Sequence, residues 1–227
     1  MSELYELLTL KVAVKTITPE WFIYDLTRIH RPIYRLCKRI FDIIGASIIS
    51  FVTLPIMIIL AVSTKIADGG KIFYTQERVG KNGKIFEMLK FRTMIENAEK
   101  DGAVWAVNNN KDTRVTKIGR IARKLRFDEL PQMLNIIKGE MSLVGPRPER
   151  PEFTQILEKK IPFYQRRHWV TPGWTGWAQI MYRYGASTED AIEKLRYELY
   201  YIKHRNLFWD FSILVKAVFM ALSGRHG

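Results

Sequence analysis

Asp128 and Glu129 are adjacent carboxylates that directly follow a strongly basic stretch of the chain. Residues 111–126 contain seven Lys or Arg residues and one acidic residue. A carboxylate can attack phosphorus to form an acyl phosphate, and a second carboxylate can hold Mg²⁺ together with phosphate oxygens. Two adjacent acids can therefore divide these tasks in phosphoryl transfer. The alternative is helix capping, since carboxylates are favourable at a helix N-terminus.

Further cations flank this pair on both sides in the sequence. Lys90 and Arg92 lie upstream in KFRTM, and Arg147 lies downstream in GPRPERPE, between two prolines. Arginine offers a two-pronged geometry to phosphate oxygens, and prolines reduce the flexibility of the loop that presents Arg147. Any one of these cations can instead belong to a solvated or lipid-facing surface. No phosphate-binding loop of the Walker type and no G-x-G-x-x-G motif is present, so the common nucleotide-binding folds are not indicated.

The composition bounds the class of protein. The 227 residues are 47% hydrophobic and 26% charged, which argues against a disordered or collagen-like chain. The 36 Lys and Arg residues exceed the 23 Asp and Glu residues and give a net charge of +13. Such an excess favours a polyanionic partner, namely nucleic acid, an anionic membrane surface or a phosphorylated substrate. The single cysteine, Cys37, excludes an internal disulfide.

Residues 43–64 form an apolar run of 22 residues without a charge. As a helix this run reaches about 33 Å, which is one hydrocarbon thickness. Pro55 lies near its middle and removes one backbone hydrogen bond. Both flanks are basic, so a spanning helix would place one basic cluster outside, against the positive-inside bias. A helix that breaks at Pro55 and returns keeps both clusters near anionic lipid; we favour this re-entrant path over a span, and over an ordinary buried helix.

The remaining elements follow from local patterns. Asn-Gly predicts the turn of a β-hairpin over residues 71–91. The other predicted elements are a polar helix at 93–101, a loop at 102–113, an amphipathic helix at 114–126, a helix from 128 to 139, a capped helix at 187–204 and an apolar interfacial helix at 207–222. The predicted fold class is therefore α+β and mainly helical, membrane-associated, with a re-entrant helix, a small hairpin and interfacial amphipathic helices.

Several of these segments resemble one family. They are KRIFDIIGASIISFVTLPIMIILA, FYTQERVGKNGKIFEMLKFRTM, RVTKIGRIARKLRFDELPQMLNIIKGEMSLVGPRPERPEF and PGWTGWAQ. In this order they are similar to the bacterial sugar transferases, the monotopic polyprenyl-phosphate hexose-1-phosphate transferases. The resemblance runs from about residue 36 to residue 218, and YRYGAS is similar to the exopolysaccharide branch.

The resemblance implies a reaction and a location. A sugar-1-phosphate would pass from a UDP-sugar to undecaprenyl phosphate, with release of UMP, through a covalent aspartyl intermediate. The enzyme would work at the bacterial inner membrane, with its active site on the cytoplasmic face, in exopolysaccharide or other surface glycan synthesis. Anionic membrane lipids would be partners of the enzyme, and nucleic acid would not be a partner. Whether the chain forms a homo-oligomer is left open. Pro55 would be the break of a re-entrant helix at about residues 40–65.

The resemblance also assigns site residues. Asp128 would be the nucleophile, and Glu129 would bind Mg²⁺. Lys90 and Arg123 would hold phosphate, and Arg147 would contact the nucleotide diphosphate. We expect residues 1–35 to form an N-terminal adaptor segment and residues 36–227 to form the catalytic domain.

Two departures and two alternatives qualify this interpretation. Trp174 and Met181 replace residues that the family pattern favours, so the identity of the sugar is not carried over. A basic membrane-surface scaffold and a nucleic-acid-binding protein, both without catalysis, are the alternatives that the net charge allows. No helix-turn-helix or zinc-finger motif accompanies that charge.

Overall fold

The computed structural model describes residues 2–14, 32–95, 114–182, 185 and 187–223. The helices in these ranges are α1 (Ser2–Thr9), α2 (Pro32–Asp68), α3 (Lys117–Lys124), α4 (Gln132–Lys138), α5 (Pro151–Lys160), α6 (Trp177–Met181), α7 (Thr188–His204) and α8 (Leu207–Leu222). The strands are β1 (Phe73–Val79), β2 (Ile85–Phe91), β3 (Ser142–Val144) and β4 (Gly173–Thr175). A mainly helical chain with a small hairpin and one long apolar helix is the coarse architecture that the sequence predicts.

The hairpin of β1 and β2 is confirmed. The strands pair antiparallel from Phe73 opposite Phe91 to Val79 opposite Ile85. The turn between them contains Asn82 with φ 56° and follows the Asn-Gly signal. The side chain of Asn135 fastens β2 to α4, because it bonds the main chain of β2 on both sides: its Oδ1 accepts at 3.0 Å and its Nδ2 donates at 2.7 Å.

A second, parallel sheet of β3 and β4 was not predicted. Ser142 pairs with Gly173, and Val144 pairs with Thr175. Strands of three residues carry too little alternation to be recognised from the sequence. A Cβ added at Gly173 would lie 2.1 Å from the amide nitrogen of Gly145, so only glycine permits this approach of the two chains.

The core of the body joins α4, β3, α7 and α8. Its centre is formed by Met133, Ile136, Leu143, Leu195 and Ile213, each at most 1% exposed. The helix α7 begins with the predicted capping box, in which the side chains of Ser187 and Asp190 satisfy each other's main-chain amides. The body therefore has a fully packed centre on which the charged loops can be held rigidly.

The apolar helix α2 is 37 residues long. Its most apolar window has a mean hydropathy of 2.5 and is 11% buried, so by length and composition it can cross a membrane. All of its residues are helical, including Pro55. The hydroxyl of Thr53 donates to the carbonyl of Ile49 at 2.7 Å, a bond that tends to bend helices. The structure has no gap in the helix at Pro55, and the re-entrant path remains a proposal.

Both flanks of α2 are attached to the same body. Near its start, Arg39 donates to two main-chain carbonyls at the end of α4, at 2.5 Å each. One turn later, the carboxylate of Asp42 accepts from the amide of Leu143 at 3.1 Å. After α2 the chain enters the hairpin directly, where the amide of Arg92 donates to the carbonyl of Ile72 at 2.9 Å. Most of the exposed apolar residues of the helix lie between these two attachments.

Three other predictions differ in detail. The helix predicted from 128 to 139 is α-helical only over Gln132–Lys138. Met94 forms an antiparallel bridge with Val115, so the first residues of the predicted polar helix at 93–101 are not helical. The rest of that helix, residues 96–101, and the predicted loop at 102–113 lie outside the described residues. The amphipathic helix predicted at 114–126 is shorter, because Thr116 caps it by accepting from the amide of Gly119.

The described part of the N-terminal segment packs on the body. Val12 and Val14 belong to the main core cluster, and the indole of Trp177 donates to the carbonyl of Leu10 at 3.1 Å. The carboxylate of Glu6 in α1 lies 3.0 Å from the ammonium of Lys203. Residues 15–31 lie outside the described residues. The division into segments 1–35 and 36–227 remains a prediction, and its boundary falls inside α2.

Candidate active site

A tight turn between α3 and α4 places the two carboxylates. Phe127–Glu129 is a short 3₁₀ helix, and Arg126 before it has φ 56°, in the left-handed region. Such a backbone conformation is uncommon for a residue with a side chain, and its strain persists only where the surrounding structure enforces it. The turn buries both acids: Asp128 is 9% exposed and Glu129 is 5% exposed. Simple capping of an exposed helix end does not require this burial.

Glu129 is surrounded by three cations from three parts of the chain. Its Oε1 lies 2.8 Å from Nη2 of Arg147 and 3.2 Å from Nζ of Lys90. Its Oε2 lies 3.5 Å from Nη1 of Arg126. Burial opposes ionisation, but the charges of Arg147, Lys90 and Arg126 outweigh it and hold the pKa of Glu129 well below its ordinary value. Glu129 is therefore an ionised acid at neutral pH.

Asp128 has a different environment from its neighbour. Burial and the charge of Glu129 raise its pKa, while the cations Lys90, Arg123 and Arg147 act in the opposite direction. The two carboxyl groups are thus pushed apart in acidity, which is how adjacent acids take different roles in active sites. Glu129 is thus the carboxylate that stays ionised, and Asp128 is the one that is protonated more easily.

Arg123 lies beside the pair and is oriented by a residue that the sequence did not single out. Its Nε donates to the hydroxyl of Thr93 at 2.8 Å, and Thr93 is 6% exposed. A Cβ added at Gly119 would lie 2.2 Å from the carbonyl of Thr93. The glycine lets α3 pack against the end of the hairpin, and this contact brings Arg123 toward Asp128.

The sequence matches the bacterial sugar transferase family over residues 33–224. The chain belongs to this family. It is 43% identical over 193 residues to a protein of Aeromonas hydrophila named UDP-N-acetylgalactosamine-undecaprenyl-phosphate N-acetylgalactosaminephosphotransferase, covering 85% of the chain and 45% of that relative. The match to the family extends over nearly the whole described body, and the members of this family are enzymes.

Two further relatives differ in length and name. The exopolysaccharide production protein ExoY of Rhizobium meliloti (strain 1021) is 35% identical over 222 residues, covering 92% of the chain and 96% of that protein. The UDP-glucose:undecaprenyl-phosphate glucose-1-phosphate transferase of Escherichia coli (strain K12) is 37% identical over 187 residues, covering 82% of the chain and 40% of that protein. The chain thus spans less than half of two of these three relatives and nearly all of the third.

Arg92 has a different position in the transferase from the other predicted phosphate ligands. Its Nε donates to the carbonyl of Lys71 at 2.5 Å, and a Cβ added at Gly70 would lie 2.8 Å from its guanidinium nitrogens. It packs at the junction of α2 and β1. A role for Arg92 in phosphate binding remains a prediction, whereas Lys90, Arg123 and Arg147 are brought together around the carboxylates.

The donor set of the transferase fits Mg²⁺ better than a structural transition metal. Within the described ranges, no three His, Cys, Asp or Glu side chains are close enough together to hold a metal ion. Mg²⁺ commonly takes one or two carboxylates and completes its shell with water and substrate phosphates, whereas structural zinc sites use four protein ligands. Glu129 supplies one such carboxylate, and binding of Mg²⁺ there remains a prediction.

Proposed function

We propose that this transferase moves a sugar-1-phosphate from a UDP-sugar to undecaprenyl phosphate, with release of UMP. This would be the first membrane step in making an exopolysaccharide or another surface glycan. The observation that carries the proposal is the buried pair Asp128 and Glu129 with four cations around it. The relatives support the donor and acceptor classes, and since their names include two different sugars, the sugar itself is not assigned.

The proposed reaction has two steps at one carboxylate. First, an oxygen of Asp128 attacks the phosphorus that bears the sugar, the bond from that phosphorus to the bridging oxygen breaks, and UMP leaves with the bond's electrons. Second, a phosphate oxygen of undecaprenyl phosphate attacks the same phosphorus, and the bond to Asp128 breaks. The carboxylate is regenerated, and the product is undecaprenyl diphosphate sugar.

The cations would stabilise the charge that develops during transfer, each at a different phosphate. The side chain of Arg147 is 36% exposed, so an incoming diphosphate can reach it from solvent. The ammonium of Lys90 lies 3.2 Å from Glu129, and the charge of Arg123 acts on Asp128. Donors fixed in place before the reaction need little reorganisation when negative charge moves onto phosphate oxygens. Arg147 would contact the diphosphate of the donor, and Lys90 and Arg123 the transferred phosphate.

Glu129 is the proposed ligand of Mg²⁺, which would neutralise diphosphate charge when bound. Its low pKa keeps the carboxylate available as an oxygen ligand. The ion pairs that now occupy its oxygens would be shared with, or transferred to, the phosphates of the donor. Glu129 therefore holds the cations in position before the substrate arrives.

The arrangement of α2 supports a monotopic placement at the inner membrane, with the active site on the cytoplasmic face. Both flanks of the apolar helix contact one folded body, and a helix that crossed the bilayer would have to separate them. A re-entrant path bent near Pro55 keeps both flanks and the basic residues on the side of anionic headgroups. The carboxylate pair would then lie near the phosphate of the lipid acceptor.

A trapping experiment tests the nucleophile. Purified protein is incubated with a UDP-sugar labelled in the phosphate next to the sugar, without lipid acceptor, and the label on the protein is measured. Asp128→Asn should abolish both the label and turnover, since an amide does not form the acyl phosphate. Asp190→Asn, at the exposed capping box of α7, is the matched control and should retain both. Full labelling of the Asp128 variant would reject the assignment.

A further inference from the structure

The loop that carries Arg147 is held by its carbonyl oxygens. Proline has no amide hydrogen, so a loop rich in proline can be fastened mainly through its acceptors. Four successive carbonyls accept hydrogen bonds from three different parts of the chain: Pro146 from the amide of Gly173 (2.8 Å), Arg147 from Nη2 of Arg167 (2.7 Å), and, both from β1, Pro148 from Nη1 of Arg78 (3.0 Å) and Glu149 from the amide of Val79 (2.9 Å). The carbonyl of Arg147 itself is therefore held by the side chain of Arg167.

Arg167 is fixed by a buried network on its other edges. Its side chain is 4% exposed, as is that of Glu198 on α7. Nε and Nη2 of Arg167 donate to the two carboxylate oxygens of Glu198 at 2.8 and 2.6 Å. Nη1 donates to the hydroxyl of Tyr164 at 2.7 Å. The planar guanidinium thus has partners on each nitrogen, and three of its four hydrogen bonds go to Glu198 and Tyr164, outside the loop.

A buried ion pair of this kind is weak evidence for stability. Removing two charges from water costs several kcal/mol per ion, and apolar replacements of similar volume are often neutral or stabilising. Stability alone therefore does not explain why Arg167 and Glu198 form a buried ion pair here. The contact that distinguishes Arg167 is its bond to the residue whose side chain approaches Glu129 at 2.8 Å.

We propose that Arg167 and Glu198 are positioning residues that determine where the guanidinium of Arg147 stands above Glu129, and hence how the diphosphate of the donor is bound. This inference rests on the proposed function. Arg147 has a long side chain with several rotatable bonds, so a small shift of its main chain moves the guanidinium. Displacement of a positioning group by about 1 Å can cost roughly 100-fold in rate.

The first test is Arg167→Lys, which keeps the charge opposite Glu198 but removes the fork that reaches Glu198 and the carbonyl together. We expect kcat/KM for the UDP-sugar to fall by roughly tenfold or more. The kcat/KM for undecaprenyl phosphate should be unchanged, because in a two-step reaction the nucleotide has left before the lipid reacts. A general loss of folded protein would lower both values equally.

The chain offers a closely matched control in Arg196→Lys. Arg196 has the same three kinds of partner. It donates to the main-chain carbonyl of Val12 at 3.2 Å, to the carboxylate of Glu193 at 2.7 Å and to the hydroxyl of Tyr5. It holds the N-terminal segment and not the loop. The control should keep both kcat/KM values, so an equal loss of donor kcat/KM in the two variants would overturn the proposal.

A double variant separates positioning from folding. Arg167→Met with Glu198→Leu replaces the ion pair by apolar groups and should retain the melting temperature, yet lose donor kcat/KM as Arg167→Lys does. A folded double variant with wild-type donor kinetics would refute the inference.

If the wild type released no UMP, the proposed function would be rejected, but the positioning role of Arg167 could still be tested. Amide hydrogen exchange of Gly145, Arg147, Glu149 and Arg150, the residues of the loop that have amide hydrogens, should then still be faster in Arg167→Lys than in the wild type or Arg196→Lys. Unchanged exchange in the loop would overturn the positioning role.

Discussion

Asp128 and Glu129 are neighbours in the chain but differ in the cations that contact them. Glu129 has direct contacts with Arg147, Lys90 and Arg126, at 2.8 to 3.5 Å. The pKa of Asp128 is raised by burial and by Glu129 itself. An acid that stays ionised can serve as a ligand of a cation. An acid with fewer fixed partners can serve as a nucleophile, because it must form and break a bond. The roles that the resemblance implies agree with this difference.

At this scale we predict that Glu129→Gln weakens the binding of the Mg²⁺ that turnover would require. Glutamine keeps the shape of the side chain but lacks the charge that draws the cation, so the Mg²⁺ concentration for half-maximal activity should rise by roughly tenfold or more. The measurement is a Mg²⁺ titration of UMP release. Glu152→Gln, an exposed acid at the start of α5, is the control. An identical titration in Glu129→Gln and wild type would contradict the role.

The sequence identified only part of this site. Lys90 and Arg147 were singled out by their motifs and Arg123 by the family resemblance; the structure brings all three near the carboxylates, and their phosphate roles remain predictions. Arg126 was not singled out, because its contact with Glu129 depends on a left-handed backbone that no local residue pattern requires. Thr93 and Arg167 were missed because they act across 30 and 20 residues of sequence, and such contacts exist only after the core has formed.

At the scale of elements, local signals predicted the pieces whose own residues determine them. The hairpin has its Asn-Gly turn, and α7 has its capping box. The polar segment after β2 was wrong at its start, because Met94 pairs with Val115 instead of continuing into a helix. The pairing of β3 with β4 joins residues about thirty positions apart and is a tertiary contact. The attachments at the two ends of α2 are likewise tertiary contacts, and the bend at Pro55 remains a proposal.

These attachments predict that both flanks of α2 are accessible from the cytoplasmic side. In a Cys37→Ser background, Arg35→Cys and Lys71→Cys report on the two flanks, and Glu152→Cys reports on the catalytic body. In sealed cells a membrane-impermeant maleimide should label none of the three, and in inside-out vesicles it should label all of them. Labelling of Arg35→Cys and Lys71→Cys from opposite faces would show a spanning helix and reject the re-entrant path.

At the scale of the whole molecule, a net charge of +13 and a large exposed apolar surface occur together. The apolar residues of α2 are joined by those of α8, where Phe208 and Phe219 are more than 70% exposed. Exposed apolar area of this extent is typical of a surface that meets another phase or partner. A membrane interface accounts for both properties, because apolar side chains enter the hydrocarbon while basic residues stay with anionic headgroups.

This combination predicts how the protein leaves membranes. Electrostatic binding to lipid headgroups or nucleic acid weakens steeply with salt, whereas burial of α2 in hydrocarbon does not. We therefore expect the protein to remain in the membrane pellet in high salt and after nuclease treatment, and to be released by mild detergent, as followed by sedimentation and immunoblotting. The control is a Phe51→Lys, Val52→Lys variant, which places charges on the exposed apolar face of α2 and should shift the protein toward salt extraction. Complete release of the wild type by salt alone would favour a peripheral or nucleic-acid-binding protein, because an inserted apolar helix has no route into water under those conditions.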